Sequence, residues 1–116
     1  MRICICSGTR FKEDILKAAS VIDDCVTPEL SIPKESETPE MVPRLVFDHL
    51  SRIKSSDAIL VIDPSGYIGS SVKIEIGYAE GLGKKIFFTE KTGSPELDCL
   101  ADAIIPMSDL ILLNKR

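Results

Sequence analysis

The stretch that most limits what this chain can fold into runs from Ser56 to Phe88, SDAILVIDPSGYIGSSVKIEIGYAEGLGKKIFF, and reads as one strand, loop, helix, strand unit. Ala58 to Ile62 is an unbroken apolar, partly β-branched run halted by Asp63-Pro64-Ser65-Gly66. Periodicity alone does not separate such a run from a buried helix, but its length and the turn behind it are those of a central parallel strand. Beyond the loop, the hydroxyls of Ser70 and Ser71 are expected to cap a helix that continues to Leu82 and closes at Gly83. Lys85 to Thr89 supplies the next strand.

That helix carries an anomaly. At 100° per residue, Val72, Ile74, Ile76, Tyr78, Ala79 and Leu82 fall on one arc, opposite Lys73, Gly77, Glu80 and Gly81, and Glu75 falls inside the apolar arc. A capping box would place a Glu three residues after the cap, whereas Glu75 follows Ser71 by four and Ser70 by five. A carboxylate facing the sheet one turn into a helix is desolvated, with the helix dipole offsetting part of the cost, which is how reactive carboxylates are often housed.

The remaining chain repeats the alternation. Arg2 to Ser7 is a first strand, and Ser7-Gly8-Thr9 a tight turn into a helix with Phe11, Ile15, Ala18 and Ile22 on one stripe. Backbone N–H groups from Thr9 to Phe11 are candidates to receive an anion or a sugar hydroxyl. Cys25 to Ile32 holds a short strand that Pro28 consigns to an edge, and PKESETP is a solvated connection. A helix over residues 39–54 carries the stripe Leu45, Val46, Leu50 and Ile53, and His49, the only histidine, lies inside it. Pro95 to Leu100 is a short helix, Ala103 to Met107 a fifth strand, and Ser108 the cap of a final turn through Leu113.

Alternating strands and helices joined by right-handed crossovers imply a single-domain α/β fold spanning 1–116, a doubly wound five-stranded parallel sheet in the flavodoxin-like order 2-1-3-4-5. Its switch point lies between strands one and three. There the carboxyl ends of the strands would gather Ser7, Gly8, Thr9, the loop from Asp63 to Ser71, and Glu75.

Composition narrows the partners. With 14 basic against 18 acidic residues, a net charge of −4, no Trp and only two Tyr, the chain has neither a basic patch nor an aromatic platform for nucleic acid. No segment approaches the roughly 20 apolar residues of a membrane span, and the N-terminal apolar run is too short for a signal peptide, so a cytoplasmic location is expected. Cys4, Cys6, Cys25 and Cys99 include no CxxC; Cys4 and Cys6 alternate so as to share one face of a strand. Reduced core cysteines are expected, and no metal. A receiver-type signalling domain shares the sheet order but needs acids after the first strand, where this chain has Ser7-Gly8-Thr9.

The run DAILVIDPSGYIGSSVKIEIGYAEGLGKKIFF resembles the core signature of the nucleoside 2-deoxyribosyltransferase family and its N-glycosidase relatives. Glu75-Ile76-Gly77-Tyr78-Ala79 and Gly83-Lys84 match its E-[IL]-G-Y-A and G-K elements, and ADAIIPMSDL is similar to its last strand and helix start. The resemblance implies that Glu75 is a nucleophile toward the anomeric carbon of a (deoxy)ribosyl group, with water or a second base resolving the glycosyl-enzyme. It implies substrate contacts from the glycine loop and from Ser70 and Ser71; the leading reading adds Asp63 as a catalytic and His49 as a substrate-orienting group, with Ser7, Gly8, Thr9, Gly66, Tyr67 and Gly69 as further contacts. It also implies a nucleoside or nucleotide substrate, no cofactor and a homo-oligomer.

This sequence departs from the family at three places. Cys4 stands where a Tyr is common, His49 stands eight residues before Asp57 where an Asp is common, and the loop from Ser65 to Ile74 lacks an acid. Two alternatives are therefore kept. One is a nucleoside-monophosphate phosphoribohydrolase, since SGYIGSSVKIE resembles the glycine-rich loop and Glu of the lysine-decarboxylase-like enzymes; the other is a nucleotide-binding module without catalysis.

Overall fold

The computed structural model of the chain describes residues 1–115. Its strands are β1 (Ile3–Cys6), β2 (Cys25–Val26), β3 (Ala58–Val61), β4 (Lys85–Phe88) and β5 (Ala103–Ile104), and its helices α1 (Lys12–Val21), α2 (Val42–Lys54), α3 (Ser70–Gly81) and α4 (Pro95–Asp98). The strands form one parallel sheet in the order β2-β1-β3-β4-β5. That is the doubly wound, flavodoxin-like order expected from the alternation. The radius of gyration, 13.2 Å, is that of one packed domain of this length, for which about 13 Å is expected.

The period-2 alternation of the strands divides the interior into two layers. Ile3, Ile5, Ala58, Leu60 and Phe87 face α1 and the C-terminal 3₁₀ segment Met107–Lys115, packing on Ile15, Ala18, Leu110 and Leu113. Cys4, Cys6, Ile59, Val61, Ile86 and Phe88 face the other way, against Ile53 of α2 and Val72, Ile76 and Ala79 of α3. β1 and β3 along their length, and β4 after its exposed Lys85, are apolar because both faces are covered, which is why they read as continuous runs. Each large side chain so buried contributes roughly 1.5–3 kcal/mol.

Several local expectations are corrected. The N-cap of α3 is Gly69, without a side-chain cap, so Ser70 and Ser71 occupy the first helical positions. The buried stripe of α3 is Val72, Ile76 and Ala79; Ile74 and Leu82 are exposed, because α2 and the sheet together cover a narrower arc than the apolar residues span. Gly83 does end the helix, at φ +72°, its N–H donating to the Glu80 carbonyl while that of Lys84 donates to Ala79. Strand β2 is two residues long, and the fifth strand also stops after two. Helix α2 begins at Val42, since the chain before it runs through Pro39 as loop and turn. Gly8 sits at φ −63°, a conformation open to any residue. Ser108 lies inside the C-terminal 3₁₀ segment and does not cap it.

The left-handed backbone is needed one loop further on. The 3₁₀ turn Pro64–Gly66 after β3 has Ser65 at φ 58° and Gly66 at φ 76°, and a Cβ on Gly66 would stand 2.8 Å from the Lys91 carbonyl oxygen. The loops after β3 and β4 therefore touch backbone to backbone. Among the described residues, no helix is long and apolar enough to cross a membrane.

Candidate active site

At the carboxyl ends of β1 and β3, three elements converge on a cavity of about 180 Å³. The β1–α1 turn contributes Ser7, Gly8 and Thr9; α2 contributes Leu45, Val46 and His49; α3 contributes Ser71, Val72 and Glu75. Because β1 is straight and its side chains alternate, Cys4 and Cys6 both point to the α2 and α3 side, beneath the cavity. Helix α2 lays His49 over them: its Nε2 lies 3.5 Å from Cys6 Sγ and 3.8 Å from Cys4 Sγ. From the opposite wall α3 brings Glu75 Oε1 to 3.4 Å from the same nitrogen.

The four side chains form one electrostatic unit. Burial works against a charge on His49, but the Cys4 sulfur and the Glu75 carboxylate outweigh it and raise the imidazole to about 9. The hydrogen bond from Cys6, aided by His49 against the cost of burial, lowers Cys4 to about 6. Burial, together with the neighbouring sulfur and carboxylate, pushes the Cys6 thiol well up. Together these effects favour charge on the Cys4 sulfur and on the imidazole between it and the Glu75 carboxylate, and disfavour it on Cys6. Glu75 Oε1 and His49 Nδ1 are buried without a hydrogen-bond partner among the described residues.

The expected site residues divide into three groups. Ser7, Gly8, Thr9, His49, Ser71 and Glu75 meet at the cavity. Tyr67, Gly69 and Ser70 line a neighbouring groove of about 400 Å³ that shares Gly8, Thr9, Ser71 and Val72 with it. Ligand sites usually span 300–1,000 Å³, so cavity and groove together offer the room that the cavity alone lacks. Asp63 and Gly66 reach neither.

Asp63 is fully buried between the β3 and β4 ends, its Oδ1 accepting from Thr89 Oγ1 at 2.8 Å and from the Glu90 N–H at 3.1 Å. Burial raises its carboxyl to about 6. It stitches two loops together, and the catalytic position expected for it is not where it sits. The Ser7 hydroxyl is also committed, donating to the Ile62 carbonyl at 2.9 Å, and the Phe11 N–H donates to Gly8. Of the cysteines, only Cys4 and Cys6 belong to the core; Cys25 is half-buried and Cys99 exposed.

Reading the sequence missed three contributions. Glu29 and Glu37, from connections read as edge strand and solvated loop, stand on the cavity wall. Arg10, which lines the groove, holds its guanidinium 4.2 Å from the ring centroid of Tyr67, also in the groove wall, and 4.8 Å from that of Phe11 outside it. The third is the contact between Cys4 and His49. These two residues, distant in sequence, meet beside Glu75. No family model matches the chain, and no curated protein sequence matches it either.

Proposed function

We propose that the protein is an N-glycosidase or (deoxy)ribosyltransferase that cleaves the N-glycosidic bond of a nucleoside or nucleoside 5′-monophosphate, with Glu75 as nucleophile. The observation that carries this reading is the Glu75 carboxylate. Its side chain is 15% exposed at a cavity wall at the sheet's switch point, and its buried Oε1 makes no hydrogen bond among the described residues, only the 3.4 Å ion-pair contact with His49 Nε2. A carboxylate oxygen at a cavity wall, met only by one long ion-pair contact, keeps its capacity to engage a ligand.

In the proposed reaction Oε1 attacks the anomeric carbon as the bond to the base breaks, and the departing base takes that electron pair and a proton. The resulting glycosyl ester is opened by water or by a second base, which restores the carboxylate. His49, 3.4 Å from Oε1, holds the carboxylate in place. The uncapped start of α3 leaves its first N–H groups free of side-chain caps, and with the Ser70 and Ser71 hydroxyls and Arg10 nearby it suits a 5′-phosphate. A homo-oligomer belongs to the same reading: Phe47 on α2 and Ile74 on α3 are 67% and 58% exposed, and both helices also line the cavity.

The test is chromatographic detection of free base from a panel of ribo- and deoxyribonucleosides, their 5′-monophosphates and NAD, for the wild type and Glu75→Gln. Base release by the wild type alone supports the nucleophile and names the substrate. Equal release by both removes Glu75 from the chemistry. No release by either, combined with thermal stabilisation by one of the compounds, replaces the enzyme with a nucleotide-binding module.

A further inference from the structure

We propose that Cys4, Cys6 and His49 form a binding site for a thiophilic divalent cation, Zn²⁺, with Glu75 Oε1 at the fourth position. The site goes beyond the glycosidase reading and stands or falls without it.

Geometry is the first support. The two sulfurs and a ring nitrogen of His49 all lie within 4.8 Å of one another. For tetrahedral zinc, bond lengths of about 2.3 Å to sulfur and about 2.0–2.1 Å to nitrogen and oxygen imply S···N separations of about 3.6 Å, N···O of about 3.3 Å and S···S of about 3.8 Å. The observed S···N distances are 3.5 and 3.8 Å, and His49 Nε2 lies 3.4 Å from Glu75 Oε1. The S···N and N···O separations are those that ligands around one small ion adopt, and the two sulfurs, within 4.8 Å of each other, would draw together to close the set. A hydrogen-bonded N···O pair would usually be shorter, near 2.9 Å, and the longer spacing leaves room for an ion.

The second support is independent of the distances. Cys4 and Cys6 have no exposed surface, and the His49 side chain is 7% exposed, yet these polar groups sit in a layer otherwise filled by Ile53, Ile59, Val61 and Ile76. Only weak sulfur contacts join the imidazole to the strand, and Glu75 Oε1 has no hydrogen-bond partner among the described residues. Burying polar groups without strong partners is costly, and an ion would satisfy them together.

Charge and access agree with the assignment. Two thiolates and a neutral imidazole balance the charge of Zn²⁺, and the Glu75 carboxylate takes the centre to a net −1; because thiolates and neutral imidazole are the binding forms, binding releases protons. The donor set, two soft sulfurs and an imidazole, suits Zn²⁺ over Mg²⁺ or Ca²⁺. His49 and Glu75 form the cavity wall, so the ion would enter from the cavity and the sulfurs would take it from below. A bound Zn²⁺ would also claim the oxygen that the proposed glycosidase uses, making metal-loaded and sugar-attacking forms two exclusive states of one carboxylate.

The test uses the full chain, reduced and stripped of metal by a chelator, titrated with Zn²⁺ against a chromophoric chelator and, in parallel, with Co²⁺. One equivalent of Zn²⁺ is expected to bind with a dissociation constant of about 10⁻⁷ M or tighter, at the weak end of structural zinc sites. The Co²⁺ form should display thiolate-to-cobalt charge transfer and strong tetrahedral d–d bands. Cys4→Ser, Cys6→Ser and His49→Asn should each lower affinity by about 100-fold or more, and Glu75→Gln by about 10-fold or more. A Cys25→Ser, Cys99→Ser double variant should bind as the wild type does.

If a core variant fails to fold, the wild-type cobalt spectrum and the surface double variant still decide the matter. Absence of zinc binding at about 10 µM, about 100-fold above the expected constant, overturns the site. So does a cobalt spectrum without thiolate bands, or loss of binding in the surface double variant. Zinc binding without base release from any nucleoside leaves the metal site standing and removes the glycosidase reading; base release without zinc binding does the reverse.

Discussion

Replacing Asp63 by Asn should remove a pH dependence of stability whose size follows from the burial of this one carboxyl. Asp63 has no exposed surface, its Oδ1 accepts two hydrogen bonds, and its Oδ2 is buried without a partner among the described residues. Burial outweighs the hydrogen bonds and raises the group from 3.8 to about 6 in the folded chain. The folded state therefore binds a proton more tightly than the unfolded state between those values, and stability must fall as pH rises through that window. At about 1.4 kcal/mol per pH unit the full effect is about 3 kcal/mol, complete above about pH 6 and absent below about pH 4. Other carboxyls contribute as well: Glu29, Glu96 and Asp98 are lowered by hydrogen bonds, and each favours folding as pH rises. The quantity to measure is thus the difference between wild type and Asp63→Asn. Urea unfolding at half-unit intervals from pH 4 to 7 should give a difference that shifts by about 3 kcal/mol in favour of the variant as pH rises. A difference that stays flat across the window, or slopes the other way, refutes a desolvated Asp63 and with it the role assigned to the Thr89 and Glu90 contacts.

Two glycines should respond in opposite directions. Gly66→Ala forces a side chain onto φ 76° and to within 2.8 Å of the Lys91 carbonyl, and should destabilise by about 2–4 kcal/mol in chemical denaturation. Gly77→Ala adds a methyl that meets nothing within 4 Å in the middle of α3, and should stabilise by about 0.5–1 kcal/mol. In the metal-free reduced protein, Cys99 should react with a chromogenic disulfide at once. Cys4 should stay protected until the chain opens although it is lowered to about 6, and the same holds for Cys6; immediate labelling of all thiols would contradict their burial.

Sequence alone determined the sheet and the place of the anomalous acid, Glu75. Apolar runs of strand length at β1, β3 and β4, separated by helical spacing, leave few ways to bury both faces of each strand, and right-handed crossovers reduce these to the observed order. Glu75 stood out because one carboxylate interrupted a helical pattern that is a strictly local property. The mistaken details were also local: the two-residue edge strand, the uncapped start of α3 and the exposed Ile74 depend on how far neighbouring elements reach across each face. Tertiary structure alone decided that Cys4, Cys6, His49 and Glu75 share one point, because β1, α2 and α3 are distant in sequence and their separation is set by packing. It also moved Asp63 from the expected site into a buried link between loops, since the strand end on which it lies turns inward against Thr89. Periodicity names the face a side chain takes; which groups meet on that face depends on the distances between elements, and those exist only once the core has closed.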